Sequence, residues 1–285
     1  MRWRGRREST RVEDRRGARG VRLPGGKGAG IGCGGLLLIL LLAYFTGENP
    51  VQLLESLGTS SSVSGPSSGL DGTPAPGPRD ELSQFASVVL ADTEDTWTAL
   101  FQRESESYRL PTLVLFSGSV ASACGYASSA VGPFYCPADG KVYLDLSFFD
   151  ELARRFGAPG DFAQAYVIAH EIGHHVQNLL GISAEIRRRQ QGASQTRANE
   201  LSVRLELQAD CLAGVWGYHA QDLLEPGDIE EGLAAAAAIG DDQMQRRAGG
   251  YVRPESWTHG SSQQRVTWLR RGLQSGDPDA CDTFN

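Results

Sequence analysis

The sequence predicts an α+β chain: a mostly helical domain with a small antiparallel or mixed sheet, preceded by one transmembrane helix. Three observations carry this expectation. Apolar residues recur at helical spacing through most of residues 80–285. Three short stretches rich in β-branched and aromatic residues, 112–116, 134–136 and 141–146, are bounded by turn residues. An uncharged run from Gly28 to Phe45 lies between a basic stretch and a Ser/Gly/Pro-rich one.

The chain has 285 residues and a formal net charge of −7, placed unevenly. Residues 1–27 hold ten Lys or Arg against Glu8, Glu13 and Asp14, a local charge of +7 that leaves −14 for the rest. A basic stretch before an apolar run reads as the cytoplasmic flank of an anchor. The expected organisation is a basic cytoplasmic tail at 1–27, a transmembrane helix at 28–46, a flexible linker at 47–79 and a folded domain at 80–285 outside the cell membrane. A cleaved signal peptide is the rival reading. The basic stretch is long for one, and no small-x-small site follows the apolar run. The adjacent span accounts for the basic charge, so no nucleic-acid partner is expected.

Cys33 falls in the expected span, and Cys124, Cys136, Cys211 and Cys281 fall beyond it. Four cysteines outside the cytoplasm read as two disulfides, with three pairings open. Cys124 with Cys136 would close a short loop, and Cys211 with Cys281 would tie the C-terminal tail to a core helix.

In chain order, Leu82, Phe85, Val88, Val89, Trp97, Leu100 and Phe101 predict a helix over about 80–105. Pro111 opens a strand at 112–116, and Gly118–Gly132 reads as a loop. The segments 134–136 and 141–146, around Pro137-Ala-Asp-Gly140, form a hairpin. One of these strands could hold an extended peptide, or the sheet could merely shield the core. A helix at 147–156 precedes Pro159-Gly160. The next helix spans about 162–180, with Asp161 and Gln164 as a capping box and Gly181 as its left-handed end. A short helix at 183–191 and a long one reaching about Ala220 follow. Asp228 with Glu231 is expected to cap a helix to about Arg247, and Ser261 with Gln264 to cap a last helix ending near Gly276.

The chemistry lies on two of these helices. His170-Glu171-Ile-Gly-His174 places two imidazoles one turn apart, a spacing that grips a single zinc ion. Glu171 stands beside that face and reaches a water without ligating the metal. The second segment is Glu206-Leu-Gln-Ala-Asp210, again two polar groups one turn apart. Small neighbours, Ala209, Ala213 and Gly214, would let another helix approach closely. Glu206 is the expected third ligand, and Asp210 is expected to accept a hydrogen bond from a ligand histidine. His175 points elsewhere and reads as structural, and His219 as solvated. His259, on a loop before a helix, is the candidate oxyanion stabiliser; the other reading is a loop histidine with no task.

These two segments resemble the zincin metallopeptidases whose third ligand is glutamate. More narrowly, the chain resembles the bacterial putative neutral zinc metallopeptidase family of membrane-anchored proteins. Ser128-Ser-Ala-Val-Gly-Pro-Phe-Tyr-Cys136, Ala209-Asp-Cys-Leu-Ala-Gly214 and Thr258-His-Gly-Ser-Ser262 extend the likeness. The resemblance implies a zincin-like domain, Zn2+ as cofactor, and a peptide or protein as substrate. The expected activity is peptide-bond hydrolysis by a zinc-activated water, with Glu171 as general base. The alternative is a non-catalytic, zinc-stabilised binding or scaffold module.

Overall fold

A computed structural model of the chain describes residues 1–17 and 80–284, which belong to one compact unit. Its sheet begins unexpectedly early. Strand β1 (Val12–Asp14) pairs in parallel with β2 (Thr112–Phe116), with Val12 opposite Leu113 and Asp14 opposite Leu115. Between them in sequence comes helix α1 (Glu81–Arg103), closed at its start by a capping box between Asp80 and Ser83. After β2, the stretch expected to be a loop folds as a separate antiparallel hairpin, β3 (Ser119–Ser122) with β4 (Gly125–Ser128). Its residues are small and polar, which hides the strand periodicity. Strand β5 (Phe134–Cys136) pairs antiparallel with β6 (Lys141–Asp145), as the turn at Asp139-Gly140 predicts. The sheet is mixed, in the order β1-β2-β6-β5, with β6 parallel to β2.

Successive residues of β2 point to opposite faces. Leu113 and Leu115 enter the main core with Phe85, Val89 and Trp97 of α1, while Val114 and Phe116 join a smaller cluster with Val120, Cys136 and Tyr143. The remaining helices are α2 (Ser147–Arg154), α3 (Asp161–Leu179), α4 (Ile182–Gln190), α5 (Gln195–His219), α6 (Asp228–Ala238), α7 (Asp241–Arg247) and α8 (Ser262–Ser275). Gly181 takes φ +76 after α3, and Ser261 with Gln264 forms the expected box before α8. Both expected disulfides form, Cys124–Cys136 and Cys211–Cys281.

Three local expectations change. Asp161 is the first residue of α3 rather than its cap, and its carboxylate receives the Met1 ammonium at 2.9 Å. Asp228 likewise follows its cap, Gly227, and accepts from the Glu225 amide at 2.7 Å. The single helix expected over 228–247 breaks at Gly240, whose backbone is extended (φ −66, ψ 143); Ser262 approaches so closely there that a Cβ would stand 2.3 Å from its backbone nitrogen, so the position requires glycine.

The membrane expectation is overturned. Among the described residues no helix is long and apolar enough to cross a membrane, and the expected span at 28–46 lies outside them, as does the linker. The sheet supplies the physical objection. A single crossing between residues 17 and 80 would leave β1 and β2 on opposite sides of a bilayer, yet they share backbone hydrogen bonds. A cytoplasmic N-terminus joined to an external domain by one span is incompatible with that pairing. Several of the described basic residues have partners within the domain instead. Arg7 pairs with Glu94 at 3.2 Å and with Asp95 at 2.8 Å, Arg16 with Asp80 at 2.5 Å, and Arg4 with Glu81. Trp3 is 4 % exposed and meets Phe85 edge to face.

Candidate metal centre

Helices α3 and α5 touch at Gly173. A Cβ there would stand 2.9 Å from the Ala209 carbonyl oxygen and 3.1 Å from its Cα, so the approach requires glycine. His170 and His174 flank this contact on α3, and Glu206 lies one turn before Ala209 on α5. Close packing therefore aims all three at one point. His170 Nε2 is 3.1 Å from Glu206 Oε2, and His174 Nε2 is 3.4 Å from Glu206 Oε1. The three donor atoms lie within 4.8 Å of one another.

The remaining ring nitrogens are also held. His170 Nδ1 donates to Asp210 Oδ1 at 2.9 Å, and His174 Nδ1 to Gln177 Oε1 at 2.9 Å. Gln177 cannot turn over, because its amide donates to the Leu205 carbonyl at 2.7 Å and to Gln208 at 3.0 Å. Both rings thus direct Nε2 inward. Asp210 is fixed in turn by Arg265, whose Nε and Nη2 donate at 2.8 and 2.9 Å, and by the Tyr166 hydroxyl at 2.5 Å. This network is buried: Asp210 is 0 % exposed and Arg265 3 %.

The electrostatics describe a site that demands positive charge. Burial opposes a charged His170, but Asp210 and Glu206 outweigh it and push the ring up to about 10. The same balance, through Glu206, raises His174. Burial likewise opposes the Glu206 charge, yet the two histidines hold it well below the usual carboxylate range. Asp210 sits at about 2, where Arg265 and His170 overcome the cost of burial. Two imidazole nitrogens and one carboxylate, oriented by buried hydrogen bonds, are a donor set that fits a zinc ion. A second acidic group, Asp161, Asp228 and Glu231, has the same compactness, but the Met1 ammonium sits against two of its carboxylates.

The cluster opens into a cleft of about 620 Å³ that Glu171 and His259 also line. Glu171 is 8 % exposed. His259 is exposed on a loop that Asp241 organises, accepting from the amides of Thr258 (2.8 Å), His259 (2.7 Å) and Gly260 (3.0 Å). Its ring lies 3.3 Å from Asp241 Oδ1, and that contact raises its pKa. His175 points away, its ring held by the Arg109 carbonyl at 2.6 Å and the Tyr135 hydroxyl at 3.0 Å. His219 is half-buried against the Gly276 carbonyl at 2.9 Å rather than solvated.

Sequence reasoning missed Gln177, Tyr166 and Arg265. Gln177 follows His174 by three residues and Tyr166 precedes His170 by four, so both share the ligand face of α3 and were legible by spacing. Arg265 arrives from α8 and left no local signal.

The family model described as "Putative neutral zinc metallopeptidase" matches residues 1–284. The chain belongs to this family. It is similar to the "Uncharacterized protein YpfJ" of Escherichia coli strain K12, at 51% identity over 294 residues, covering 100% of this chain and 99% of that protein. It is also similar to the "Uncharacterized protein Mb2605" of Mycobacterium bovis, at 46% over 218 residues, covering 72% and 73%. No solved structure matches the chain. The family's name implies zinc and a peptide or protein substrate.

Proposed function

We propose that this chain is a zinc-dependent peptidase that hydrolyses peptide bonds with Glu171 as general base. The convergence of His170, His174 and Glu206 at the floor of an open cleft, with Glu171 beside them, carries the reading. Bound by these three side chains, zinc would supply Lewis acidity, lowering the pKa of water and polarising a carbonyl. Glu171 would take the proton from the attacking water and deliver it to the leaving amine. Asp210, locked by Arg265 and Tyr166, would hold His170 in its ligating orientation, as Gln177 would hold His174. His259, exposed in the cleft and biased towards its charged form by Asp241, would stabilise the developing oxyanion.

The segment 131–135 runs beside the donors, and β5 is an edge of the described sheet. An extended substrate can pair with such an edge by backbone hydrogen bonds, which favours peptides over other amides. A purely structural zinc site would be closed by a fourth protein ligand and would have no use for Glu171.

The test compares wild type with Glu171→Gln on a mixed peptide pool, with zinc content measured alongside. The expected result is unchanged zinc and folding with cleavage abolished. Cleavage of no peptide by the zinc-loaded wild type, or equal cleavage by both proteins, would overturn the proposal. Glu206→Ala should lose zinc; full stoichiometry would remove Glu206 from the ligand set.

A further inference from the structure

Among the described residues, Arg187 is the cleft arginine whose guanidinium has no partner. Two arginines line the cleft, Arg187 and Arg265. Arg265 is consumed by Asp210 and Tyr166. Arg187 is exposed, and no hydrogen bond or ion pair reaches its guanidinium among the described residues. Its neighbours Arg188 and Arg189 both pair with Glu185. The face of α4 turned to the cleft carries Ser183, Ile186, Arg187 and Gln190, and the Gln190 amide is spent on the Ala198 carbonyl and Ser202.

The opposite end of the cleft is apolar. Phe148, Phe156, Val167 and Met244 line it, with Phe148 and Phe156 in ring contact at 6.5 Å. The stretch from Gly132 into β5 runs along the cleft. Gly132 lies against Phe148, where a Cβ would be 3.5 Å from the ring, and the Tyr135 hydroxyl reaches Asn178 at 3.1 Å near the end of α3.

We infer that the cleft selects peptides by polarity: a large apolar side chain against Phe148 and Phe156, and a carboxylate at Arg187. The inference rests on the peptidase reading and specifies its substrate class. The carboxylate can come from an Asp or Glu side chain or from the peptide's own C-terminus. Either presents two oxygens to the planar guanidinium. The Ser183 hydroxyl, on the same face one turn earlier, can add a donor. A lysine at that substrate position would meet like charge and be disfavoured.

The experiment uses quenched-fluorescent peptides with a fixed phenylalanine and, at one of the two to six positions that follow it, glutamate, glutamine or lysine, each with a free or amidated C-terminus. A shorter pair ending at that position separates a terminal carboxylate from a side-chain one. Wild-type kcat/KM should favour glutamate or the free terminus over the neutral counterpart by roughly tenfold, mostly through KM. Arg187→Gln should bring that ratio close to one, and Arg187→Glu should invert it towards lysine. No preference in the wild type, or a preference that survives both substitutions, would overturn the subsite. Should wild type cleave nothing, fluorescence anisotropy of the same peptides decides separately. Tighter binding of the acidic peptide, lost in Arg187→Gln, supports the subsite without the peptidase; equal binding overturns both.

Discussion

Replacing Arg265 with methionine removes the guanidinium that neutralises Asp210 and leaves a fully buried carboxylate with the Tyr166 hydroxyl and the His170 ring. Methionine fills much of the same volume, so the effect is chiefly electrostatic. Breaking a buried pair by removing one partner costs about 3–5 kcal/mol. At about 2–4 °C per kcal/mol for a chain of this size, Tm should fall by roughly 6–20 °C. The hold on His170 should loosen as well, weakening zinc binding by about 10–100-fold. Circular dichroism melts of the metal-stripped protein read the first effect, and competition with a chelator reads the second. The double variant Asp210→Asn with Arg265→Met separates them. It removes both charges while keeping an oxygen for Tyr166 and His170, so it should recover most of the lost stability. It should not recover metal affinity, because the amide is a weaker acceptor. A single variant that melts within 2 °C of wild type, or one that binds zinc as tightly, would refute the reasoning.

Gly173→Ala should force α3 away from α5, since its Cβ would stand 2.9 Å from the Ala209 carbonyl oxygen. Zinc affinity should then fall even though no ligand has changed, as calorimetric titration would report; wild-type affinity would contradict the packing account. Removing Cys211–Cys281, whose partners are 70 residues apart, should destabilise by about 4 kcal/mol. Removing Cys124–Cys136, 12 apart, should cost about 3 kcal/mol, so denaturant midpoints should rank the two; the reverse order would count against loop entropy as the dominant contribution. Burial pushes the His175 ring down to about 4, against an ordinary 6.5. The unfolded chain therefore binds a proton that the folded ring refuses, and stability should fall as pH drops from about 6.5 towards 4. His175→Asn should flatten that slope in urea titrations; an unchanged slope would show that other groups set it.

The helix that carries His170, Glu171 and His174 was legible because its signals are local. Two histidines and a glutamate fall in five residues, and Gly181 marks the end. Glu206 was legible for a related reason: an acidic pair one turn apart on an apolar helix needs an explanation. Strand β1 was not legible. Val12 stands among charged residues, and its stretch reads as a tail when charge is counted along the chain. The acidic partners that neutralise it, Asp80, Glu81, Glu94 and Asp95, lie on or just before α1, so only folding reveals the balance. Arg265 stayed hidden for the same reason, since an arginine meant for a carboxylate 55 residues earlier looks like any surface arginine on α8. The β3–β4 hairpin was lost because Ser, Gly and Ala carry no alternation.

The pairing of β1 with β2 means that residues 1–17 and the chain from residue 80 onward build one sheet together. The two described segments also meet where Arg16 reaches Asp80 at 2.5 Å. Expression started at residue 80, the boundary that composition suggests, would strip the outer strand from Thr112–Phe116 and leave an apolar edge open to pairing with other copies. Joining residue 17 to residue 80 through a short Gly/Ser bridge would keep that edge covered, and is the better starting point for a folded fragment.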